Sequence, residues 1–267
     1  MPTLDSNGLT VDYLAQGAGP PVVLVHSSVS GNKQWRRLIE ALQPTYRCVA
    51  PNLLGYGSTS AWPGERPQTL DDAARVVLAV CDTLPRPLRL VGHSWGASVA
   101  LETARQLGDG VSHLALYEPA LGGLLMGRGS TQALAELSRM YAAVRTLGDA
   151  RRWMALAEVF TDYFNGEGAW AATPPERRQV IAGQIPPNRH EWDAATPPRA
   201  AQSFEGVRAR TLMLRGGRTP LLLRETVDVL CQAFPHWRLR EFADAGHMGP
   251  LTHSALVNAE LQAFLAE

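Results

Sequence analysis

Behind the pair Asn7-Gly8, apolar Leu9, Val11 and Tyr13 alternate with polar neighbours, a period of two that predicts a β-hairpin with a tight turn over residues 2–14. After the Gly/Pro loop at 17–21 comes the unbroken apolar run Val22-Val23-Leu24-Val25. Such a run suits a strand covered on both faces, as in a parallel sheet. Helical and strand patterns then take turns: a helix over 33–42, a strand over 46–50, a helix over 70–83, a strand over 88–91, a helix over 97–107 and a strand over 112–117. The series resumes with a strand over 210–214, a helix over 222–234, a strand over 237–242 and a last helix over 254–266. Alternation with short connections predicts a doubly wound α/β sheet.

Between the two series, residues 121–204 carry no convincing strand pattern. Leu134, Leu137, Tyr141 and Val144 share one helical face, and so do Trp153, Leu156, Phe160 and Phe164. Amphipathic helices need an apolar surface to sit on. The segment is therefore expected to be a helical cap, inserted into a sheet domain made of residues 1–120 and 205–267.

Composition narrows the partners. Lys+Arg and Asp+Glu number 25 each, so no basic face for nucleic acid or an anionic membrane is announced. With 45% apolar residues the chain can bury a proper core. Cys48, Cys81 and Cys231 are far apart in apolar surroundings and read as buried thiols in a reducing compartment. Residues 1–6 lack a basic stretch leading into an apolar run, and no segment reaches the roughly 18 apolar residues of a membrane span, so the cytoplasm is the expected location. A monomer or homodimer is expected.

The stretch that carries chemistry is Gly92-His93-Ser94-Trp95-Gly96, a G-x-S-x-G motif leaving a predicted strand and entering a predicted helix. In such a turn the serine sits on strained backbone that lifts its hydroxyl above the sheet edge. The glycines two positions to either side let the turn close. The N–H of Trp95 then stands at a helix N-terminus, where it can stabilise an oxyanion.

With this motif the chain resembles the α/β-hydrolase family along essentially its whole length. Val25-His26 resembles the family's His-Gly oxyanion loop, the run Asn52 to Ser58 its Asp-x-x-Gly-x-Gly-x-Ser loop, and Ala245-Gly246-His247-Met248 its histidine loop. Ser27 stands where the family usually has Gly, and Asn52 where it usually has Asp. The resemblance implies an α/β-hydrolase fold with Ser94 as nucleophile, His247 as base, and Ser27 or Ser28 supplying the second oxyanion N–H beside that of Trp95. Among the seven histidines, only His247 follows a late strand in a Gly-flanked loop before the final helix. His26 and His93 are expected to support the site.

Family members most often carry the triad acid in a Gly-x-x-Asp-Pro pattern, and here the residues are Gly216-Gly217-Arg218-Thr219-Pro220. Thr219 cannot hold a carboxylate against an imidazolium. Glu118 closes the preceding sheet strand, an alternative location for the acid in some hydrolase-fold enzymes, and is the candidate. Asp244 is expected to cap its own loop and Glu225 to face solvent.

The expected reaction is cleavage of a small, neutral, largely apolar ester or lactone through an acyl-enzyme on Ser94. His26, Trp95, Tyr141, Trp153, Phe160 and Phe164 are the candidate substrate contacts. Arg218 is the one basic side chain in the catalytic loops, which favours a neutral substrate, though the cap arginines Arg139 and Arg145 bear on that reading. No metal or nucleotide motif occurs, so no cofactor is expected. Two alternatives stand beside this reading: carbon–carbon bond hydrolysis by the same residues, and a ligand-binding or sensing protein with an impaired triad.

Overall fold

In the computed structural model, which describes residues 2–267, Asn7 and Gly8 both adopt positive φ (49° and 79°). They make the tight turn that joins β1 (Thr3–Ser6) to β2 (Leu9–Gln16) in antiparallel register, Ser6 opposite Leu9. The chain continues through β3 (Pro21–Val25), α1 (Arg36–Leu42), β4 (Arg47–Pro51), α2 (Leu70–Cys81), β5 (Leu88–His93), α3 (Trp95–Leu107) and β6 (Val111–Tyr117). Five further helices precede the next strand: α4 (Thr131–Asp149), α5 (Trp153–Asn165), α6 (Ala169–Ala172), α7 (Pro175–Gln184) and α8 (Asn188–Ala195). Then come β7 (Arg210–Gly216), α9 (Leu221–Ala233), β8 (Arg238–Phe242), α10 (Gly249–Thr252) and α11 (Ser254–Leu265).

The eight strands form one sheet in the order β1-β2-β4-β3-β5-β6-β7-β8. β2 pairs antiparallel with β4, and the pairings from β4 through β3 to β8 are parallel. Every residue of β3 is buried because both faces are covered. Val23 and Val25 join the core under α2, α3 and α9, while Val22 and Leu24 face the core under α1 and α11. All helix and strand patterns of the two series fall on the elements observed, with ends shifted by a few residues.

Helices α4 to α8 bury a third cluster of their own, in which Leu137, Val144, Leu156, Ile185 and Trp192 meet Leu222 and Leu223 of α9. That shared cluster seats the helical segment over the C-terminal ends of the parallel strands. Among the described residues no helix is long and apolar enough to cross a membrane. Cys48 and Cys81 are buried, but Cys231 is only half-buried, on the flank of α9, because its helical position lies beside the apolar stripe.

Candidate active site

Ser94 sits between β5 and α3 with φ 56° and ψ −122°, a conformation that an L residue adopts only when its surroundings impose it. The glycines of the motif show what imposes it. A Cβ on Gly96 would collide with the carbonyl oxygens of Val25 and His26, and one on Gly92 with the backbone of Gly96 and Ala97. The turn is tied to the end of the neighbouring strand, since the Ser94 N–H donates to the Tyr117 carbonyl at 2.8 Å.

His247 comes from the loop after β8 and Glu118 from the end of β6. The His247 Nε2 lies 2.9 Å from Ser94 Oγ, and its Nδ1 lies 2.6 Å from Glu118 Oε2. A carboxylate next to Nδ1 calls for a proton there, which leaves Nε2 free to accept the serine proton. All three side chains are buried, Glu118 completely. The Glu118 carboxylate also accepts the Gly216 N–H at 2.6 Å and the Thr219 hydroxyl at 2.7 Å. Thr219, in the place the resemblance gives to an aspartate, thus holds the glutamate that comes from the neighbouring strand β6. Glu118 resembles Ser94 in having positive φ (48°), so both sheet strands end on strained backbone aimed at the same imidazole.

Two other histidines brace the loops without touching the cavity. His93 donates from Nε2 to the His247 carbonyl at 2.8 Å and accepts at Nδ1 from the Gln34 amide at 3.1 Å. His26 accepts the Leu53 N–H at Nε2 (3.0 Å) and donates from Nδ1 to the Ser27 carbonyl at 2.7 Å. Burial drives both toward the neutral form that these bonds require, His26 down to about 4 and His93 well below the usual range. His26, expected among the substrate contacts, is therefore a strut between two loops.

The expected oxyanion residues separate. The Ser27 N–H is already donated to Gln34 Oε1 at 3.0 Å, and its hydroxyl to the same oxygen at 2.8 Å, so Ser27 offers no amide to a substrate. Ser28 lines the cavities at Ser94, followed by Val29 at φ 54°. Trp95 is the first residue of α3, so its N–H has no carbonyl to meet within the helix. Ser28 and Trp95 are thus the amides left for the oxyanion.

Two cavities meet at Ser94. The inner one is lined by Ser28, Trp95, Phe160 and Phe164, with Asn188 and Glu191 from α8. The outer one adds His247 and Met248, with Arg177 from α7. Tyr141 and Trp153 line neither: Tyr141 bonds Asp193 at 3.2 Å, and Trp153 packs within the helical cluster. Arg145 is paired with Asp193, while Arg139 is exposed on α4. Asp244 does not cap its own loop but pairs with Arg218 at 2.8 Å, both exposed. Glu225, half-buried, accepts from the N–H and hydroxyl of Ser130 and so fastens the start of α4.

Asn188 and Glu191 carry polar chemistry that the sequence reading passed over. The Glu191 carboxylate accepts from Ser28 Oγ (2.5 Å), Tyr56 OH (2.9 Å) and Asn188 Nδ2 (3.1 Å). Burial pushes its carboxyl up to about 7 against the pull of those three bonds. Their spacing was the available signal: positions 188, 191 and 195 fall on one helical face with Trp192.

A family model described as the alpha/beta hydrolase family matches residues 22–260. Haloalkane dehalogenase 2 of Mycobacterium tuberculosis is 33% identical over 113 residues, 42% of this chain and 39% of that protein. The chain thus aligns with about two-fifths of the length of such curated relatives. A 2-hydroxymuconate semialdehyde hydrolase of Pseudomonas sp. strain CF600 is 24% identical over 269 residues, covering 97% of this chain and 92% of that protein. Among solved structures, the enol-lactonase of Burkholderia xenovorans LB400 superposes with a TM-score of 0.76 at 20% identity, covering all of both chains.

Proposed function

From the premise that the chain belongs to the α/β-hydrolase family, we propose that it is a serine hydrolase acting on a small, neutral, largely apolar ester or lactone. The observation that carries the reading is the unbroken line from Ser94 Oγ through His247 to Glu118, at 2.9 and 2.6 Å. In the first half-reaction Nε2 takes the Ser94 proton as Oγ bonds to the carbonyl carbon. The carbonyl oxygen becomes an oxyanion facing the Ser28 and Trp95 amides. The C–O bond to the alcohol then breaks, and Nε2 returns the proton to the departing oxygen. Water repeats the sequence on the acyl-enzyme, with the same ring as base. Glu118 orients the ring and stabilises its charged form.

The two cavities suggest how the substrate divides. The leaving oxygen must lie beside the group that protonates it. His247 lines the outer cavity and not the inner one, so the alcohol part leaves through the outer cavity and the acyl part occupies the inner. Phe164, with its ring centroid 4.7 Å from that of His247, covers the reacting groups from the helical side. Halide displacement, the reaction in the name of the dehalogenase relative, fits a serine poorly. It would leave an alkyl ether, which has no carbonyl for water to attack, and turnover would stop.

The test is steady-state and stopped-flow hydrolysis of p-nitrophenyl acetate and butyrate. A burst of p-nitrophenol is expected, abolished by both Ser94→Ala and His247→Ala. Turnover that survives either substitution contradicts the reading. A second reading, hydrolysis of a carbon–carbon bond by the same residues, draws on the Pseudomonas relative, because the compound in its name has no ester or lactone bond. Turnover of a vinylogous diketone at a rate exceeding that of both esters would favour it.

A further inference from the structure

We propose that the inner cavity selects an acyl chain bearing a hydrogen-bond donor, a hydroxyl or an N–H, and that Asn188 is the acceptor that receives it. The inference rests on the serine-hydrolase reading and adds the chemical character of the acyl group. Asn188 is 1% exposed and lines the inner cavity together with Ser94. Its Nδ2 is engaged with Glu191, but its Oδ1 is buried without any hydrogen-bond partner in the protein. Folded proteins rarely leave a buried acceptor unpaired, because the cost of stripping it of water is not recovered.

The orientation of that amide follows from its neighbour. The Glu191 carboxylate is an acceptor already facing two donors, the hydroxyls of Ser28 and Tyr56. With the Glu191 carboxyl ionised, turning the Asn188 amide around would set Oδ1 against Oε2, oxygen against oxygen, so the nitrogen belongs on the Glu191 side and the oxygen remains on the other. Of the hydroxyls in the inner lining, Ser28 Oγ is donated to Glu191 and Ser94 Oγ lies against His247, while Leu137, Phe160, Leu222 and Leu223 are apolar. An amide oxygen only accepts, so the missing partner is an O–H or N–H. Thr196 Oγ1 is also buried and unpartnered in this cavity. It lies roughly 12 Å further along the helix axis, too far to share one group with Asn188. Because the leaving group exits past His247, the donor belongs on the acyl side, and Glu191 bonded to Ser28 locks Asn188 to the loop that carries the oxyanion amide.

The experiment compares p-nitrophenyl butyrate with its 3-hydroxy and 3-amino derivatives on the full chain and on Asn188→Ala. The native protein is expected to favour the hydroxy ester in kcat/KM by about tenfold or more, the value of one hydrogen bond in a buried site. In Asn188→Ala that ratio is expected to fall to about one, whatever the change in absolute rate. A native ratio near one overturns the proposal, as does a preference for the amino ester that survives Asn188→Ala, since charge at Glu191 would then be the selector. Binding of methyl 3-hydroxybutyrate and methyl butyrate to Ser94→Ala, followed by the fluorescence of the cavity residues Trp95 and Trp192, gives the same ranking without catalysis. If no ester is turned over but the hydroxy ester still binds more tightly, the hydrolase reading fails and the assignment of Asn188 stands. If turnover is normal and the two methyl esters bind equally, the assignment fails alone.

Discussion

The strand ends that carry Ser94 and the helix that faces them satisfy their buried polar groups in opposite ways. Below, the side chains around Ser94 are spoken for: both nitrogens of His26, His93 and His247 are bonded, and the Glu118 carboxylate takes three donors. Above, Asn188 Oδ1 on α8 and Thr196 Oγ1 just after it have no protein partner, and burial holds the Glu191 carboxyl up to about 7. A fully bonded network resists reorganisation and keeps its dipoles aimed before any substrate arrives. The unfinished side does the reverse, since its polar groups are completed only by what binds. On the proposed function, chemistry is fixed by the sheet and selection is left to the helix.

The comparison breaks first at the reacting pair. Ser94→Ala and His247→Ala are each expected to lower kcat on p-nitrophenyl butyrate by about 10⁵ to 10⁶-fold, and a loss under a hundredfold in either would show that the network below is not the engine. Glu118→Gln comes next, with a loss of about 10⁴-fold, because the amide can present its nitrogen to the ring and spoil the tautomer. Asp244→Asn serves as its control and should change turnover less than about twofold, since that carboxylate is exposed and paired with Arg218.

Glu191 sharpens the comparison through stability. In the unfolded chain its carboxyl ionises near 4.5, whereas in the folded protein it keeps its proton up to about 7. The folded state therefore binds more protons between those values, and stability falls as pH rises through that window, by roughly 3 kcal/mol in all. Glu191→Gln cannot ionise, so urea denaturation at pH 5 and pH 8 should lose this slope; an unchanged slope would place the strain elsewhere. His26 gives an effect of opposite sign on the lower side. Held neutral down to about 4, against 6.5 when unfolded, it contributes stability that is lost as pH falls from about 6.5 to about 4. His26→Gln should remove that share of the acid slope, and a slope unchanged in the variant would contradict it. The variant's own stability at pH 7 is expected to drop by the smallest amount in this series, about 1 kcal/mol for the imperfectly replaced bonds.

Period-two alternation and unbroken apolar runs made the sheet readable from the chain, since a strand buried on both faces has no other way to be written. The serine turn was readable for a similar reason: only glycine fits where Gly96 meets the carbonyls of β3 and its extension, so the motif is a record of backbone crowding. What escaped reading depends on contacts between distant segments. Ser27 looked available until Gln34 folded back onto its amide. Thr219 looked like a broken triad because nothing local shows that its hydroxyl would reach Glu118, 101 positions earlier. The aromatic stripe of the helical segment identified Phe160 and Phe164 together with Tyr141 and Trp153, since period alone cannot tell a face turned to a cavity from one turned to a neighbouring helix. Asn188 and Glu191 sit behind the Pro186-Pro187 pair, where polar residues suggest a solvated loop, yet both are buried.

The most direct test of the whole arrangement is peptide-resolved mass spectrometry after brief treatment with a fluorophosphonate. One phosphonyl group on Ser94 is expected, forming far more slowly in His247→Ala and at an intermediate rate in Glu118→Gln. A protein that stays unmodified, or that carries the adduct on any other side chain, would contradict the claim that His247 and Glu118 activate Ser94.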